Sequence, residues 1–249
     1  HARWQPLIRK AIALNPRSGT ARFARAMWSD DTDREREADF QLGLALDPSN
    51  GRGITAYAEF LISNGRDEEG RPMLQRALWI DPLSPRARFR SVTVEMDRLG
   101  AVGLEQGMLK VLEVDPNYQP ALQRYAKYRW IHHGLLAESI QIIEQAIAID
   151  PQNPSARHTA MAMYLDLGDE AAARDVAAGS PVSERSSQLL LALYRGDWRR
   201  AGTEAYLPSA WTFGTFESWG APEALHDYAL RTREIDRAVQ FLEREYSLQ

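Results

Sequence analysis

Three cations stand at related places behind proline residues. Arg52 and Arg86 each lie four residues past a proline, Lys127 lies eleven past a third, and Glu59, eleven past Pro48, is the acid among them. Cations gathered on one surface hold carboxylates through charge-assisted hydrogen bonds, so these residues could bind an acidic or C-terminal segment of another protein. The plainer reading is solvated side chains paired with their neighbours, and exposed pairs of that kind add little. Counting four, seven and eleven past each proline adds Thr55, Phe89, Gln123 and His158 to the candidate partner-binding set.

Other chemistry finds less to stand on. With no cysteine in the chain, thiol catalysis, cysteine-ligated zinc and disulfides are ruled out. On neighbouring parallel helices His133 and His158 would sit about 15 Å apart along the axis, too far to share one metal ion, and His132 and His133 read as helix-terminal polar residues. The acidic run from Asp30 to Asp39 reads as a solvated turn and helix start, without the ligand spacing of a calcium loop. There is no glycine-rich phosphate loop, nucleophile elbow or zinc-protease histidine pair. The expectation is a non-enzymatic chain with no cofactor and no metal.

Charge and hydropathy narrow the partners. A net charge of -4 and a pI near 5.8 argue against a surface built to neutralise phosphates, so protein or peptide is expected rather than nucleic acid. No apolar run reaches the roughly 18 residues that cross a bilayer, so no membrane insertion of this segment is expected; cytoplasm and periplasm both stay open. The chain starts at His1 on what reads as the second half of a repeat, which suggests a fragment of a longer protein. Three lysines (Lys10, Lys110, Lys127) and abundant Ala and Arg suit a GC-rich bacterial genome.

The elements that must position these residues show in the proline spacing. Leu14-Asn15-Pro16, Leu46-Asp47-Pro48, Ile80-Asp81-Pro82, Val114-Asp115-Pro116 and Ile149-Asp150-Pro151 repeat one ending at steps of 32, 34, 34 and 35 residues. A fixed period of that length marks a repeat array. Apolar or small residues fall eight, five, four and two places before the proline, as in Ile143, Ala146, Ile147 and Ile149, which is one face of a helix. Five back, Ala11, Gly43, Ala77 and Ala146 are small where two helices approach closely, and Val111 is the exception. A second amphipathic stretch follows each proline and closes at Gly65, Gly100, Gly134 or Gly168, where glycine supplies a left-handed cap.

This pattern resembles the tetratricopeptide repeat family over residues 1 to about 178. It is carried by the Asp-Pro ending with its apolar lead, the mid-unit glycine, and pairs such as Tyr57-Ala58 and Tyr125-Ala126. The first full unit, 17–48, departs from it: it is two residues short and has Asp33 where glycine is usual. The resemblance implies an all-α, right-handed superhelical solenoid of helix pairs, with a half repeat at 1–16 and units ending near 48, 82, 116 and 151. A further helix pair would run to 178. It also implies a concave groove, lined by the first helix of each unit, in which a partner segment binds. The carboxylate-clamp variant uses Lys and Asn where this chain has Ala24, Ala56, Arg90, Arg124 and Thr159, so that clamp is not expected.

Residues 179–249 read as a degenerate helix pair around Gly196 followed by capping helices. The aromatic cluster Tyr206, Trp211, Phe213, Phe216 and Trp219 reads as an apolar plug over the last repeat, or else as a ligand platform. The reading is therefore a scaffold that binds a partner protein or peptide. Two others stand beside it: the regulatory or sensor region of a bacterial winged-helix regulator or nucleotide cyclase, and a solenoid that binds a small ligand.

Overall fold

The structure, a computed structural model, describes residues 4–29, 31–178 and 184–197, with positions 200, 236 and 240 besides. Every regular element among the described residues is helical, and no described helix is long and apolar enough to cross a membrane. The stretches 201–235 and 241–249, which contain the aromatic cluster and most of the expected cap, lie outside the described residues.

The Asp-Pro corners stop the helices. α1 (Gln5–Leu14), α3 (Asp33–Leu46), α5 (Asp67–Ile80), α7 (Met96–Val114) and α9 (Leu136–Ile149) all end directly before the Asn or Asp. The proline ring pushes the residue ahead of it out of the helical region, and Asn15, Asp47, Asp81 and Asp150 take ψ values from 75 to 88°. The carbonyl of each of these residues, and of Asp115, accepts a bond from the N–H three residues on, at 3.1 to 3.3 Å. Side-chain oxygens of Asn15, Asp81, Asp115 and Asp150 accept from the N–H two residues on, at 3.0 to 3.2 Å.

The same corner starts the next helix. Ser18, Asn50, Ser84 and Asn153, each two past its proline, accept bonds from the N–H groups of Ala21, Gly53, Ala87 and Ala156. They cap α2 (Gly19–Trp28), α4 (Gly51–Ser63), α6 (Pro85–Val94) and α10 (Pro154–Leu167). Of the described helices that follow these corners, only α8 (Gln119–Tyr128) begins at a residue, Tyr118, whose side chain makes no cap. Four residues of sequence thus end one helix, turn the chain and begin another.

Within units the glycines behave as the spacing predicts. Gly65, Gly100, Gly134 and Gly168 have φ between 61 and 83°. Gly100 breaks α7 near its start, and Gly134 closes a π-helical turn, Arg129–His133, that extends α8. The unit with Asp33 uses another device. Ser29 leaves α2 in an extended conformation, and Thr32 and Glu35 form a reciprocal capping box that begins α3.

The chain separates into two compact units, residues 1–114 and 115–249. In the first, α2 pairs with α3, α4 with α5 and α6 with α7; α2 also touches α4, and α4 touches α6. In the second, α8 pairs with α9, α10 packs on α8, α9 and α11 (Glu170–Ala178), and α12 (Glu184–Tyr194) lies against α10. First helices therefore touch first helices within each unit. Phe23, Phe40, Tyr57 and Phe60 form the core between α2, α3 and α4, with the Phe40 and Tyr57 rings stacked at 5.1 Å. Gly43, Ala77, Val111 and Ala146 are buried at the close approaches, while Ala11 is exposed on α1, which has no buried residue.

Candidate functional site

The residues four, eight and eleven past each proline share one side of the first helix, because successive residues turn by about 100°. Position seven lies roughly 60° from position four, and that rotation carries it into the core. Phe23, Thr55, Phe89 and His158, all at position seven, are between 1% and 5% exposed. Thr20, Arg52 and Arg86, at position four, are exposed. Thr55, Phe89 and His158, expected from the sequence to be face residues, are thus inward-facing; the Thr55 hydroxyl donates to the Gly51 carbonyl at 2.8 Å. Burial also drives the His158 imidazole down to about 4 from its ordinary 6.5, since a charged ring would lose its hydration there.

Glu59, Arg86 and a residue outside the expected set, Arg90, come together between α4 and α6. The Nε groups of Arg86 and Arg90 each donate to the same oxygen of Glu59, both at 2.9 Å, and a terminal nitrogen of Arg86 bonds its other oxygen. Glu59 and Arg90 are each 15% exposed in their side chains, whereas Arg86 is 44% exposed. Arg52 stands on the same side of α4, two turns before Glu59. The signal for Arg90 is its place eight past Pro82, one turn on from Arg86.

In the second unit Gln123, although seven past Pro116, is half-buried and also joins two first helices. Its amide nitrogen donates to the Ser155 and Thr159 hydroxyls at 2.5 and 3.5 Å, tying α8 to α10. Lys127 is half-buried on the same helix. At the start of α4, the Asn50 amide reaches the Thr20 hydroxyl on α2 at 3.2 Å. Polar residues on these faces thus join neighbouring first helices.

Other polar contacts tie α2 to α3, α3 to the start of α5, and the turn after α8 to α10. Asp39 falls in the run whose composition suggests a solvated turn, yet it is only 2% exposed: it lies on the side of α3 that meets α2, where Arg25 binds both its oxygens and Arg22 lies at 3.5 Å. Arg66 bonds Glu37 and Glu69, which holds both carboxyls below the usual carboxylate range, and the Tyr57 hydroxyl donates to Glu37 at 3.1 Å. Trp130, fully buried in the π-helical turn, donates its indole N–H to Asp166 at 2.8 Å. His132 and His133 are exposed at the end of that turn, with the His132 ring stacked on Tyr128 at 4.6 Å. No group of three or more potential metal ligands is found among the described residues.

Helix pairs joined by Asp-Pro corners, with first helices side by side, define a tetratricopeptide repeat fold. Solved structures agree with that assignment. PilF of Pseudomonas aeruginosa is 20% identical, with a TM-score of 0.55 over 81% of this chain and 87% of its own. PilW, a type IV pilus biogenesis factor, is 17% identical, with a TM-score of 0.53 over 70% of this chain and 82% of its own. A chain of the anaphase-promoting complex Cut9–Hcn1 hetero-tetramer is 11% identical, with a TM-score of 0.66 over 98% of this chain and 46% of its own. No protein-family model matches the sequence, and no curated protein is significantly similar to it. At these identities the likeness is one of fold.

Proposed function

We propose that the protein is a docking scaffold that holds a segment of a partner protein along the first-helix faces of its repeats. The supporting observation is the joined face of α2, α4 and α6. Its exposed row, Thr20, Arg52 and Arg86, stands beside residues already ordered by bonds between neighbouring helices, such as Glu59 and Arg90. A face ordered in advance loses little further conformational freedom when a partner segment settles on it. The like-folded chain of the Cut9–Hcn1 hetero-tetramer belongs to a protein assembly, which is in keeping with the reading. Catalysis has no comparable support: His158 is inward-facing, and Glu37, Asp39 and Glu59 are held by arginines.

Peptide selection with residue-level mapping tests this. A random peptide library panned against the immobilised protein should yield binders that shift backbone amide resonances at positions four, eight and eleven past the prolines, on α4 and α6 or on α8 and α10. Shifts confined to the second helices α3, α5 and α9, or no selectable binder at all, would count against the proposal.

A further inference from the structure

The corners of the first unit lie side by side along one edge: a Cβ added at Gly19 would stand 2.4 Å from Cβ of Asp47, and one added at Gly51 would stand 3.7 Å from Cβ of Asp81. The third corner departs from the others. Three before the proline they have Ala13, Ala45, Glu113 and Ala148, and it has Trp79, 84% accessible. One past the proline they have Arg17, Ser49, Asn117 and Gln152, and it has Leu83, 67% accessible. A tryptophan and a leucine held this far into solvent add little to packing and are apolar surface of the kind that marks an interaction site.

Charge is divided between the two ends of the same helices, which a net charge of -4 conceals. Residues 9–17, 47–52 and 76–88, within two turns of the corners, carry seven cations and two acids; residues 31–37 and 66–71, at the opposite ends, carry seven acids and four arginines. At those opposite ends Arg36, Arg66 and Arg71 are ion-paired. Arg76 and Arg88 instead donate to the corner carbonyls of Pro48 and Pro82, at 2.5 and 2.8 Å, which fixes their guanidinium groups at the edge without cancelling their charge. Arg88, six past its proline, is turned about 200° from position four, away from the docking face.

We propose that this corner edge is a peripheral binding site for an anionic lipid bilayer, with Trp79 and Leu83 entering the interface and Arg17, Arg76 and Arg88 meeting the lipid phosphates. A bilayer surface asks only for protruding apolar tips among positive charges, and a tryptophan rests at the level of the headgroups. Nucleic acid would use the cations and gain nothing from Leu83. Each cation close to an anionic leaflet strengthens adsorption about fivefold, and salt screens the attraction. Adsorption of this kind needs no helix to cross the bilayer. It does not use positions four, eight and eleven past the prolines, so it stands or falls apart from the docking reading.

The test floats the full chain in a density gradient with vesicles of mixed phosphatidylglycerol and phosphatidylcholine, and with vesicles of phosphatidylcholine alone. The protein should rise with the mixed vesicles at low salt and be released at high salt. Trp79→Ala with Leu83→Ser should weaken binding about tenfold. Arg17→Gln should weaken it about fivefold, whereas Arg34→Gln, the same change of charge at the opposite end of the helices, should leave it within about twofold of the wild type. The proposal is overturned if nothing floats with the mixed vesicles, or if phosphatidylcholine alone serves equally well. It is overturned too if the apolar pair can be removed without loss, which would mean attraction to any polyanion, or if Arg34→Gln loses as much as Arg17→Gln. A dimer in sedimentation that the apolar pair abolishes, without flotation, would give the edge to a second copy of the chain instead. Should the double variant lose its helical circular dichroism, the milder Trp79→Phe decides: brominated acyl chains must quench wild-type tryptophan fluorescence more than that of the variant, and equal quenching overturns the idea.

Discussion

His158 shows how one position in a helix decides chemistry. Its ring is 4% exposed and its pKa is lowered to about 4 by burial. The unfolded chain, with a histidine near 6.5, takes up a proton that the folded chain refuses. Stability is therefore whole above about pH 6.5, falls as pH drops towards 4, and levels off below that, a loss of roughly 3 kcal/mol. Carboxylates held low by arginine, such as Glu37, give up their contribution at lower pH, as the pH falls through their folded-state values. Urea midpoints measured from pH 7 to pH 4.5 should fall for the wild type and stay nearly flat for His158→Leu. An equal slope in both proteins would mean that His158 is hydrated in solution.

At the scale of the element, two kinds of glycine can be told apart. Gly168 has a φ of 83° and nothing within 4 Å of where a Cβ would stand, so only its backbone conformation calls for glycine. Gly53 is helical, but a Cβ there would lie 2.3 Å from Cδ2 of Phe23. Gly168→Ala should cost about 1–2 kcal/mol through the left-handed backbone alone. Gly53→Ala should cost about 1–3 kcal/mol through overpacking. A double-mutant cycle with Phe23→Leu separates them: coupling above about 0.5 kcal/mol is expected for Gly53 and none for Gly168. The closing glycines were legible from spacing, since a stop is needed at one place in every unit. The corner caps Ser18, Asn50, Ser84 and Asn153 repeat just as regularly, but their role shows only in the hydrogen bonds.

At the scale of the molecule, packing within each unit runs between helices one or two apart in the chain. Stability in such an array is close to a sum of local terms. Gly53→Ala should therefore speed hydrogen exchange in α2 to α6 and leave α9 to α11 nearly unchanged, as followed by mass spectrometry. Uniform acceleration across both units would instead indicate one cooperative block.

Over residues 5–178 the sequence alone determined the helices and where most of them stop, because each stop depends on near neighbours: an apolar stripe of period 3.6, a proline that forbids the next turn, a glycine that permits a left-handed cap. It also placed Arg52, Glu59 and Arg86 on one side of their helices, since positions four and eleven differ by nearly two full turns. It did not separate position seven from the face, because a rotation of about 60° matters only once neighbouring helices are in place to cover it. Tertiary structure alone sent Thr55, Phe89 and His158 inward, buried Asp39 against Arg22 and Arg25, and brought Arg90 to Glu59. Those outcomes depend on which helix stands opposite, and pairings between residues far apart in the chain leave no periodic trace in it.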